Sequence, residues 1–502
     1  MTLHDLLTAA FASHRARTAL LYRDDSLTFE QLDRLTDANV NVLRVAGLGP
    51  GDRLALMGAA RPHFVVMALA ALKLGAAVVL VSPAWKRSEI RHAVGVTGPR
   101  CFAADHALLA SVAEVFGGPT LDLDAVLGAG GPPAERPAAM YPQDWASREA
   151  ALVFSSGTTG FPKAVVHTHA SLGAATEHWA RALGLGPTDR FQVATPPSHI
   201  LGLLNIFAAL SSGTMVRLHE RYHIDEMLRC IETDHLTLEM AVAPIALALA
   251  EHDPLEAYDL SSLRYIMWCA TPVVPAVAER VTQRTGVPFI TAYGASELPL
   301  ISANPADADP STWRIDTAGR VIDPIEVRVV DVETGEAAPD GAPGEIQARG
   351  PSLMRGYLPA DANAAAFVDG WYRTGDIGTV EPGGWVHITD RLKEMIKVNG
   401  FQVAPAEVEA VLIEHPGVAD CAVFGVSDDR TGEAVVAAVV AASDTELVVS
   451  ELQDRVAGTL AKYKRPAHVI VRESIPRTPS GKVLRRVLRD EWSEDAVGAI
   501  QS

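Results

Sequence analysis

The feature that most limits how this chain can fold is the alternation of short apolar runs with helical patterns. Apolar runs occur at Ala19–Tyr22, Leu54–Met57 and Ala77–Val81, and such runs are typical of strands buried on both faces of a parallel sheet. After the first run, Thr28 with Gln31 three residues later is typical of a helix capping box. Similar runs recur at Val153, Phe191–Ala194, Thr214–Leu218, Leu263–Trp268 and Phe289–Ala292. The pattern predicts an α/β fold, which we expect to form two lobes.

The sequence changes character near Asn304, where prolines become frequent. The segments Glu326–Val330 and Gly344–Arg349 alternate between apolar and polar residues, which predicts a small antiparallel β region with one solvated face. A polar segment, Asp390–Glu394, then precedes a further pattern of helices and strands. We therefore predict a large N-terminal domain over residues 1–390 and a small α+β C-terminal domain over residues 391–502.

Length and composition exclude several classes of protein. The chain has 502 residues, 48% of them hydrophobic, which is enough for two or more domains. Its net charge of -18 argues against nucleic acid or an anionic membrane as the main partner. Four widely spaced cysteines argue against a zinc site or a disulfide framework. With no signal-like pattern at the start, these features favour a reducing cytoplasm.

One stretch, Phe64–Val81, is apolar enough to resemble a membrane span, but Lys73 and Gly75 interrupt it. A span needs about 20 predominantly apolar residues without such breaks. We expect a buried helix followed by a buried strand here.

The segment from Lys462 to Arg489 carries nine lysines and arginines against the single acid Glu473. A basic segment on an acidic chain is suited to binding a polyphosphate or a phosphorylated cofactor. The alternative is a solvated helix face with no binding role.

A hydroxyl-rich loop follows the apolar run Ala151–Phe154. It consists of Ser155, Ser156, Gly157, Thr158, Thr159, Gly160, Phe161, Pro162 and Lys163. Its backbone N–H and side-chain O–H groups are suited to binding phosphate oxygens. Because proline precedes the lysine, a helix cannot begin here as it does in a P-loop NTPase. The composition indicates a phosphate loop of another kind, although the same residues also form ordinary surface turns.

Four further clusters follow the loop in a fixed order: Tyr293–Glu297, Gly370–Asp376, Asp390–Glu394 with Gly400–Glu407, and Pro476–Lys482. Each cluster alone is a common turn or surface pattern. In this order, and spanning most of the chain, the five resemble the acyl-adenylate-forming superfamily. That superfamily includes acyl-CoA and aryl-CoA ligases, stand-alone adenylation domains and firefly luciferase, and the motifs most resemble coumarate-CoA ligase-like enzymes.

The resemblance implies a ligase that uses ATP and Mg²⁺ to convert a carboxylic acid to an acyl-adenylate and pyrophosphate. Two anions must meet in this reaction, so cations and a metal ion are needed more than a protein nucleophile. The resemblance assigns the catalytic roles to Lys482, Glu297, Thr158 and His199, with Glu297 and Thr158 as metal ligands. It assigns cofactor binding to Ser155, Ser156, Gly157, Thr159, Gly160, Lys163, Thr271, Tyr293, Gly294, Ser296, Asp376 and Arg391.

Within that set the resemblance implies individual contacts. Tyr293 would stack on adenine, Asp376 would accept hydrogen bonds from both ribose hydroxyls, and Arg391 would contact the ribose or the α-phosphate. Lys482 would meet the oxygens of the carboxylate and the α-phosphate.

The resemblance also implies a second step, in which a mobile C-terminal domain rotates about Lys393 and a thiol attacks the acyl carbon. Gly400 would then let backbone approach the pantetheine arm of CoA. Lys397 and Gln402 match positions that touch the nucleotide or the acyl phosphate in coumarate-CoA ligase-like members.

The acid is predicted from the segment Thr195–Leu203, in which His199 would lie over the carboxylate end. A buried histidine of the core is the alternative. Superfamily members that activate amino acids carry an aspartate in this segment, and none is present. We expect an aromatic or compact apolar acid in a pocket lined by His199, Leu201, Leu204, Trp268, Cys269 and Ala292.

Three alternatives remain open from the sequence. The acyl acceptor is CoA in our first choice, but a carrier-protein phosphopantetheine or an amine would use the same adenylate. The chain could also be a non-catalytic binder of nucleotide or acyl-adenylate. A monomer and a homodimer are equally compatible with the sequence.

Overall fold

The computed structural model describes residues 2–126, 144–155, 162–271, 273–399, 401–428, 430–442, 447–478 and 481–500. Up to the end of the second parallel sheet, the helices and strands in chain order are α1 (Leu3–Ser13), β1 (Thr18–Tyr22), β2 (Asp25–Thr28), α2 (Phe29–Val45), β3 (Arg53–Met57), α3 (Pro62–Leu74), β4 (Ala77–Leu80), α4 (Arg87–Thr97), β5 (Cys101–Ala104), α5 (Leu109–Ala113), β6 (Thr120–Asp122), α6 (Leu123–Val126), β7 (Glu149–Ser155), β8 (Lys163–Thr168), α7 (His169–Ala182), β9 (Arg190–Val193), α8 (Ile200–Ser211), β10 (Met215–Leu218), α9 (Ile224–Asp234), β11 (Leu238–Ala241), α10 (Ala243–Glu251), β12 (Tyr265–Trp268), α11 (Pro275–Thr285) and β13 (Phe289–Tyr293).

The remaining elements are further strands and the helices of the C-terminal region. They are β14 (Ser302–Ala303), β15 (Arg320–Val321), β16 (Glu326–Val330), β17 (Gly344–Arg349), β18 (Gly356–Leu358), β19 (Phe367–Val368), β20 (Trp371–Val380), β21 (Val386–Arg391), β22 (Ile396–Val398), β23 (Phe401–Val403), α12 (Pro405–Ile413), β24 (Val418–Asp428), β25 (Gly432–Ala441), α13 (Val449–Thr459), β26 (His468–Arg472) and α14 (Arg485–Ile500).

The predicted α/β fold is confirmed, with two sheets whose central strands are parallel. One has the strand order β15-β14-β13-β12-β11-β9-β10-β1-β2, and the other β18-β8-β7-β4-β3-β5-β6. Side chains from both sheets, such as Leu56 and Met240, share one core cluster with residues of α3 and α8. The two lobes are therefore packed against a common interior, and apolar residues surround these two helices on all sides.

The stretch that resembled a membrane span folds as expected. It forms α3 and β4, and every residue of β4 is buried. In the part of the chain that the structure describes, no helix is long and apolar enough to cross a bilayer.

The antiparallel region predicted after Asn304 is present as β16, β17, β20 and β21. Tyr372 on its apolar face shares one cluster with Tyr357 of β18 and with Leu298 and Ile301, which follow β13. This contact brings the antiparallel region to the carboxyl end of the first sheet, where ligands bind in open α/β sheets.

The strands β22 to β26 form a separate sheet with α12, α13 and α14 around it. It begins shortly after the predicted boundary at residue 390, and the boundary itself remains a prediction. In the β22–β23 hairpin, Lys397 lies opposite Gln402, so these two predicted site residues are cross-strand neighbours.

Candidate functional site

Tyr293, Asp376 and Arg391 form a hydrogen-bonded group at the carboxyl end of β13. Asp376 on β20 is the register partner of Arg391 on β21. Tyr293 Oη donates to Asp376 Oδ2 at 2.5 Å, and Arg391 Nε lies 2.6 Å from Asp376 Oδ1. The Asp376 residue is only 3% exposed. Since a carboxylate has about four lone-pair sites, both oxygens can still accept from a further hydroxyl.

The charges of this group affect one another. Burial and the Asp376 carboxylate raise the pKa of Tyr293 well above its ordinary value. The same carboxylate raises the pKa of Arg391, although burial opposes that shift. The Asp376 carboxylate thus lies between a neutral phenol and a permanent cation.

Glu297 lies in the loop after β13 and is 6% exposed. Its Oε1 accepts a 2.6 Å hydrogen bond from Tyr357 Oη. Within the described ranges, no group of three or more His, Cys, Asp or Glu side chains could hold a metal by itself. A single buried carboxylate still fits Mg²⁺, which proteins usually hold with one or two carboxylates together with substrate phosphates.

Gly294 and Ser296 owe their contacts to the turn that carries Glu297. A Cβ on Gly294 would lie 2.2 Å from the Pro299 carbonyl oxygen, so only glycine fits there. The Ser296 carbonyl accepts a 2.7 Å hydrogen bond from His167 Nε2. Both residues fix the path of the chain before Glu297, and the cofactor contacts that we predicted for them remain predictions.

The turn that carries Lys482 packs against the large domain. Gly481 has φ +84°, and a Cβ there would lie 2.8 Å from Pro244 Cδ and 3.5 Å from Thr271 Cγ2. Thr271 Oγ1 in turn accepts hydrogen bonds from the Ala243 N–H at 3.0 Å and from a tryptophan indole. The backbone next to Lys482 is therefore held against a fixed surface of the large domain.

Lys482 lies within electrostatic reach of the group just described. Burial and the Arg391 cation lower the pKa of Lys482, and Asp376 and Glu297 partly oppose them. One lysine, one arginine and two carboxylates thus converge from four separate parts of the fold.

His199 caps α8 and lies near the same lysine. Burial and the charge of Lys482 lower the pKa of His199 to about 4. Its Nδ1 accepts from the Leu201 N–H at 3.3 Å, which leaves the proton of the neutral ring on Nε2. A Cβ on Gly202 would lie 2.2 Å from the Pro196 carbonyl oxygen, so glycine lets the loop before His199 pack onto the helix.

The residues predicted to line the acyl pocket lie on two faces of one sheet. Leu204, Cys269 and Ala292 share one core cluster, and Leu201 packs against it. Trp268 belongs to a different cluster with Phe289, on the opposite face of the sheet. Successive side chains of a strand alternate between faces, so Trp268 and Cys269 point in opposite directions. The pocket itself remains a prediction, and Trp268 does not share the face on which the other residues lie.

A methionine that the sequence analysis did not single out lies on the same face as Cys269. Met240 on β11 is 2% exposed, and its Sδ lies 3.2 Å from Cys269 Sγ. The segment Leu238–Ala241 could have predicted this strand, but Glu239 interrupts its run of apolar residues.

The ends of the phosphate loop lie on paired strands. Ser155 at the end of β7 is the register partner of Lys163 at the start of β8. Lys163 Nζ lies 5.3 Å from the centre of the Tyr357 ring. The predicted residues Ser156, Gly157, Thr158, Thr159 and Gly160 lie outside the described residues, as does Gly400.

The remaining predicted residues are on the surface of the small domain. Lys393, Lys397 and Gln402 are exposed. Within the basic segment, several arginines are paired with acids of the same region. The pairs are Arg472 with Glu491, Arg477 with Asp420, Arg485 with Glu409 and Arg489 with Glu394. Much of its positive charge is therefore neutralised within the fold.

Sequence reasoning missed Tyr357 and His167. Tyr357 stands in a three-residue strand whose partner, β8, lies far away in sequence. His167 is buried next to the turn that carries Glu297. No motif pointed to either residue, since both act through contacts that only the fold creates.

Comparison with known proteins places these features in a family. Residues 7–358 match the model of the AMP-binding enzyme family, and residues 407–482 match the AMP-binding enzyme C-terminal domain. The chain is 33% identical to 4-coumarate–CoA ligase 5 of Oryza sativa subsp. japonica, over 97% of this chain and 94% of the relative.

Two solved structures extend the comparison. ATP-bound MatB from Rhodopseudomonas palustris is 26% identical with a TM-score of 0.90, covering 98% of this chain and 99% of that one. The amide bond synthetase McbA from Marinactinospora thermotolerans is 28% identical with a TM-score of 0.86, covering 97% and 99%. With this coverage of both of its regions, the chain belongs to the AMP-binding enzyme family.

Proposed function

We propose that this enzyme activates an aromatic or compact apolar carboxylic acid with ATP and transfers the acyl group to CoA. The products are AMP, pyrophosphate and an acyl-CoA thioester. One observation carries the proposal: Tyr293 and Arg391 bind the Asp376 carboxylate at 2.5 and 2.6 Å. The turn that carries Lys482 packs against Pro244 and Thr271 of the large domain, and the charges of this group act on the lysine.

Each of these residues has a role that its chemistry suits. Asp376, which accepts a hydrogen bond from Tyr293 and pairs with Arg391, is suited to accept hydrogen bonds from the ribose. Tyr293 would lie against adenine, and Arg391 and Lys482 would offset the charge that builds up as the carboxylate attacks the α-phosphorus. Removing one such preorganised donor typically costs about 3 kcal/mol in the barrier.

Glu297 and Thr158 are the residues that would hold Mg²⁺, and Ser155 and Lys163 flank the loop that would hold the phosphates. When bound, Mg²⁺ supplies positive charge to the polyphosphate. The 2.6 Å hydrogen bond from Tyr357 fixes the Glu297 side chain, so little reorganisation is needed when the metal arrives.

His199 is neutral and half-buried next to Lys482. A neutral ring places no second cation at the acid's carboxylate, so Lys482 alone would pair with it. Leu201, Leu204, Cys269, Ala292 and Met240 supply the apolar surroundings of the acid. The 4-coumarate–CoA ligase relative supports an aromatic acid.

The second step would use the opposite face of the small domain, with Lys393 as the hinge. Lys397, Gly400 and Gln402 would then face the acyl-adenylate. This proposal for the small domain rests on the family resemblance and on the position of the β22–β23 hairpin next to the domain boundary.

The test is pyrophosphate release with a panel of aromatic and aliphatic acids, with ATP and Mg²⁺. We expect turnover with aromatic acids and an acyl-CoA product by mass spectrometry when CoA is supplied. Lys482→Ala should lose adenylate formation while keeping thioester formation from supplied acyl-AMP. The matched control is Lys462→Ala, an exposed lysine of the same domain, which should keep both activities. Acyl-AMP that accumulates unchanged in the presence of CoA would contradict the proposal that CoA is the acyl acceptor.

A second acceptor is favoured by one comparison. The amide bond synthetase McbA matches along almost the whole chain, and an amine could replace CoA as the nucleophile on the same adenylate. Incubation with acid, ATP and a panel of amines, with CoA absent, tests this alternative. Amide formed faster than thioester would make the amine the physiological class of acceptor.

A further inference from the structure

Tyr357 contacts two charged groups of the phosphate site at once. Its hydroxyl donates to Glu297 Oε1 at 2.6 Å, and its ring face lies 5.3 Å from Lys163 Nζ. The residue is 9% exposed and stands on β18, which pairs with β8, the strand that Lys163 begins. A single side chain therefore connects the carboxylate after β13 with the lysine at the end of the phosphate loop.

A second buried tyrosine lies next to Tyr357 in the core. Tyr372 on β20 is 5% exposed and belongs to the same apolar cluster as Tyr357. Burial and the nearby Glu297 carboxylate raise the pKa of Tyr372 well above its ordinary value. Since a carboxylate can only accept, the Tyr357 proton is directed to Glu297.

The backbone around Glu297 is fixed by other elements. The Met354 N–H donates to the Glu297 carbonyl at 2.8 Å, and His167 Nε2 donates to the Ser296 carbonyl at 2.7 Å. Burial lowers the pKa of His167, so the ring is neutral and its Nδ1 can accept from Ser171 Oγ at 3.2 Å. With the main chain held in this way, the Tyr357 hydroxyl is what orients the carboxylate itself.

We propose that Tyr357 is a positioning residue that orients the Glu297 carboxylate for the metal ion and Lys163 for the phosphates of ATP. The hydrogen bond engages Oε1, which favours coordination of a cation through Oε2. Mg²⁺ tolerates little departure from octahedral geometry, so an oriented carboxylate binds it better than a rotating one. This inference rests on the proposed function, because it takes Glu297 as a metal ligand.

The experiment separates the hydroxyl from the ring. Tyr357→Phe removes the hydrogen bond and keeps the ring next to Lys163, whereas Tyr357→Leu removes both. The full-length protein is titrated with Mn²⁺ in the presence of ATP and without any acid, and free Mn²⁺ is followed by electron paramagnetic resonance. Metal-free ATP affinity is measured separately by calorimetry.

We expect Tyr357→Phe to weaken Mn²⁺ binding about tenfold, the usual cost of removing a hydrogen bond to a metal ligand, and to leave metal-free ATP affinity unchanged. Tyr357→Leu should weaken both, because the cation–π contact is lost as well. The matched control is Tyr258→Phe, which removes a tyrosine–carboxylate hydrogen bond to Asp225 away from the site and should leave both affinities at the wild-type level.

Two results would overturn the proposal. One is Mn²⁺ affinity in Tyr357→Phe that stays within about twofold of wild type. The other is an equal loss of metal-free ATP affinity in that variant, which would indicate a general structural defect. Neither measurement requires turnover, so a wild-type enzyme that releases no pyrophosphate with any acid would refute the proposed function separately.

Discussion

Glu239 should make the stability of this enzyme fall as pH rises. It stands on β11 and is 2% exposed. The Gln192 amide donates to it, and Gln192 Oε1 accepts a 2.9 Å hydrogen bond from His219. A cavity of about 10 Å³ next to it is otherwise lined mainly by isoleucine and leucine side chains such as Ile266. Burial raises the pKa of Glu239 from 4.5 to about 8, although the Gln192 hydrogen bond opposes the shift.

The magnitude follows from the two pKa values. Below pH 4.5 the side chain is neutral in the folded and unfolded chain, so burial adds no ionisation cost. Between pH 4.5 and 8 the unfolded chain loses its proton while the folded chain keeps it, and stability falls with pH. Above pH 8 the full cost is reached, about 5 kcal/mol at 1.36 kcal/mol per pH unit. The side chain in Glu239→Gln stays neutral and keeps an acceptor for Gln192, so the stability of this variant does not fall with pH for this reason.

The assay is urea denaturation of wild type and Glu239→Gln at intervals from pH 5 to 9, followed by circular dichroism. The variant should gain stability relative to wild type as pH rises to 8, and the difference should then level off. Glu251→Gln is the matched control, since Glu251 is exposed at the end of α10, and its difference from wild type should change far less with pH. Parallel pH profiles for Glu239→Gln and wild type would refute the assignment of a buried, protonated carboxyl.

Three further predictions test the site. Gly481→Ala adds a Cβ at φ +84° and 2.8 Å from a proline ring of the large domain, so pyrophosphate release should fall at least about tenfold; Gly458→Ala, whose Cβ would meet nothing within 4 Å, should retain wild-type activity. The His199 ring, with its pKa lowered to about 4, should show constant nuclear magnetic resonance shifts from pH 5.5 to 8, and a midpoint near 6.5 would contradict its burial. Gly202→Ala should destabilise the protein by about 1–3 kcal/mol, because its Cβ would lie 2.2 Å from the Pro196 carbonyl oxygen; an unchanged melting temperature would show that this loop yields easily.

The fold was largely predictable because its strands are short and apolar. Ala77–Leu80 and Tyr265–Trp268 are strands in which every residue is buried, and such runs are visible without any structure. The same property hides which face each side chain occupies, since apolar residues on both faces leave no alternation to follow. This is why Trp268 was grouped with residues of the opposite face. The strand β11 was missed altogether, because Glu239 breaks its apolar run.

The site was predictable where it consists of motifs and unpredictable where it depends on contacts across the fold. Asp376 and Arg391 stand in recognisable clusters, and they pair in the structure. Tyr357 stands in no such cluster, and its contact with Glu297 requires β18 to pair with β8. The ion pairs of the basic segment were also not predictable, because Arg477 and Arg485 pair with Asp420 and Glu409, acids well before the segment in sequence.

Those ion pairs have a consequence for the proposed rotation of the small domain. The partners of Arg472, Arg477, Arg485 and Arg489 all lie within residues 391–502. A rigid rotation of that segment would carry the pairs along intact, so no electrostatic bond among them has to break and re-form in each catalytic cycle. The speed of the domain movement should accordingly depend little on ionic strength, apart from the attraction between the departing lysine and the nucleotide.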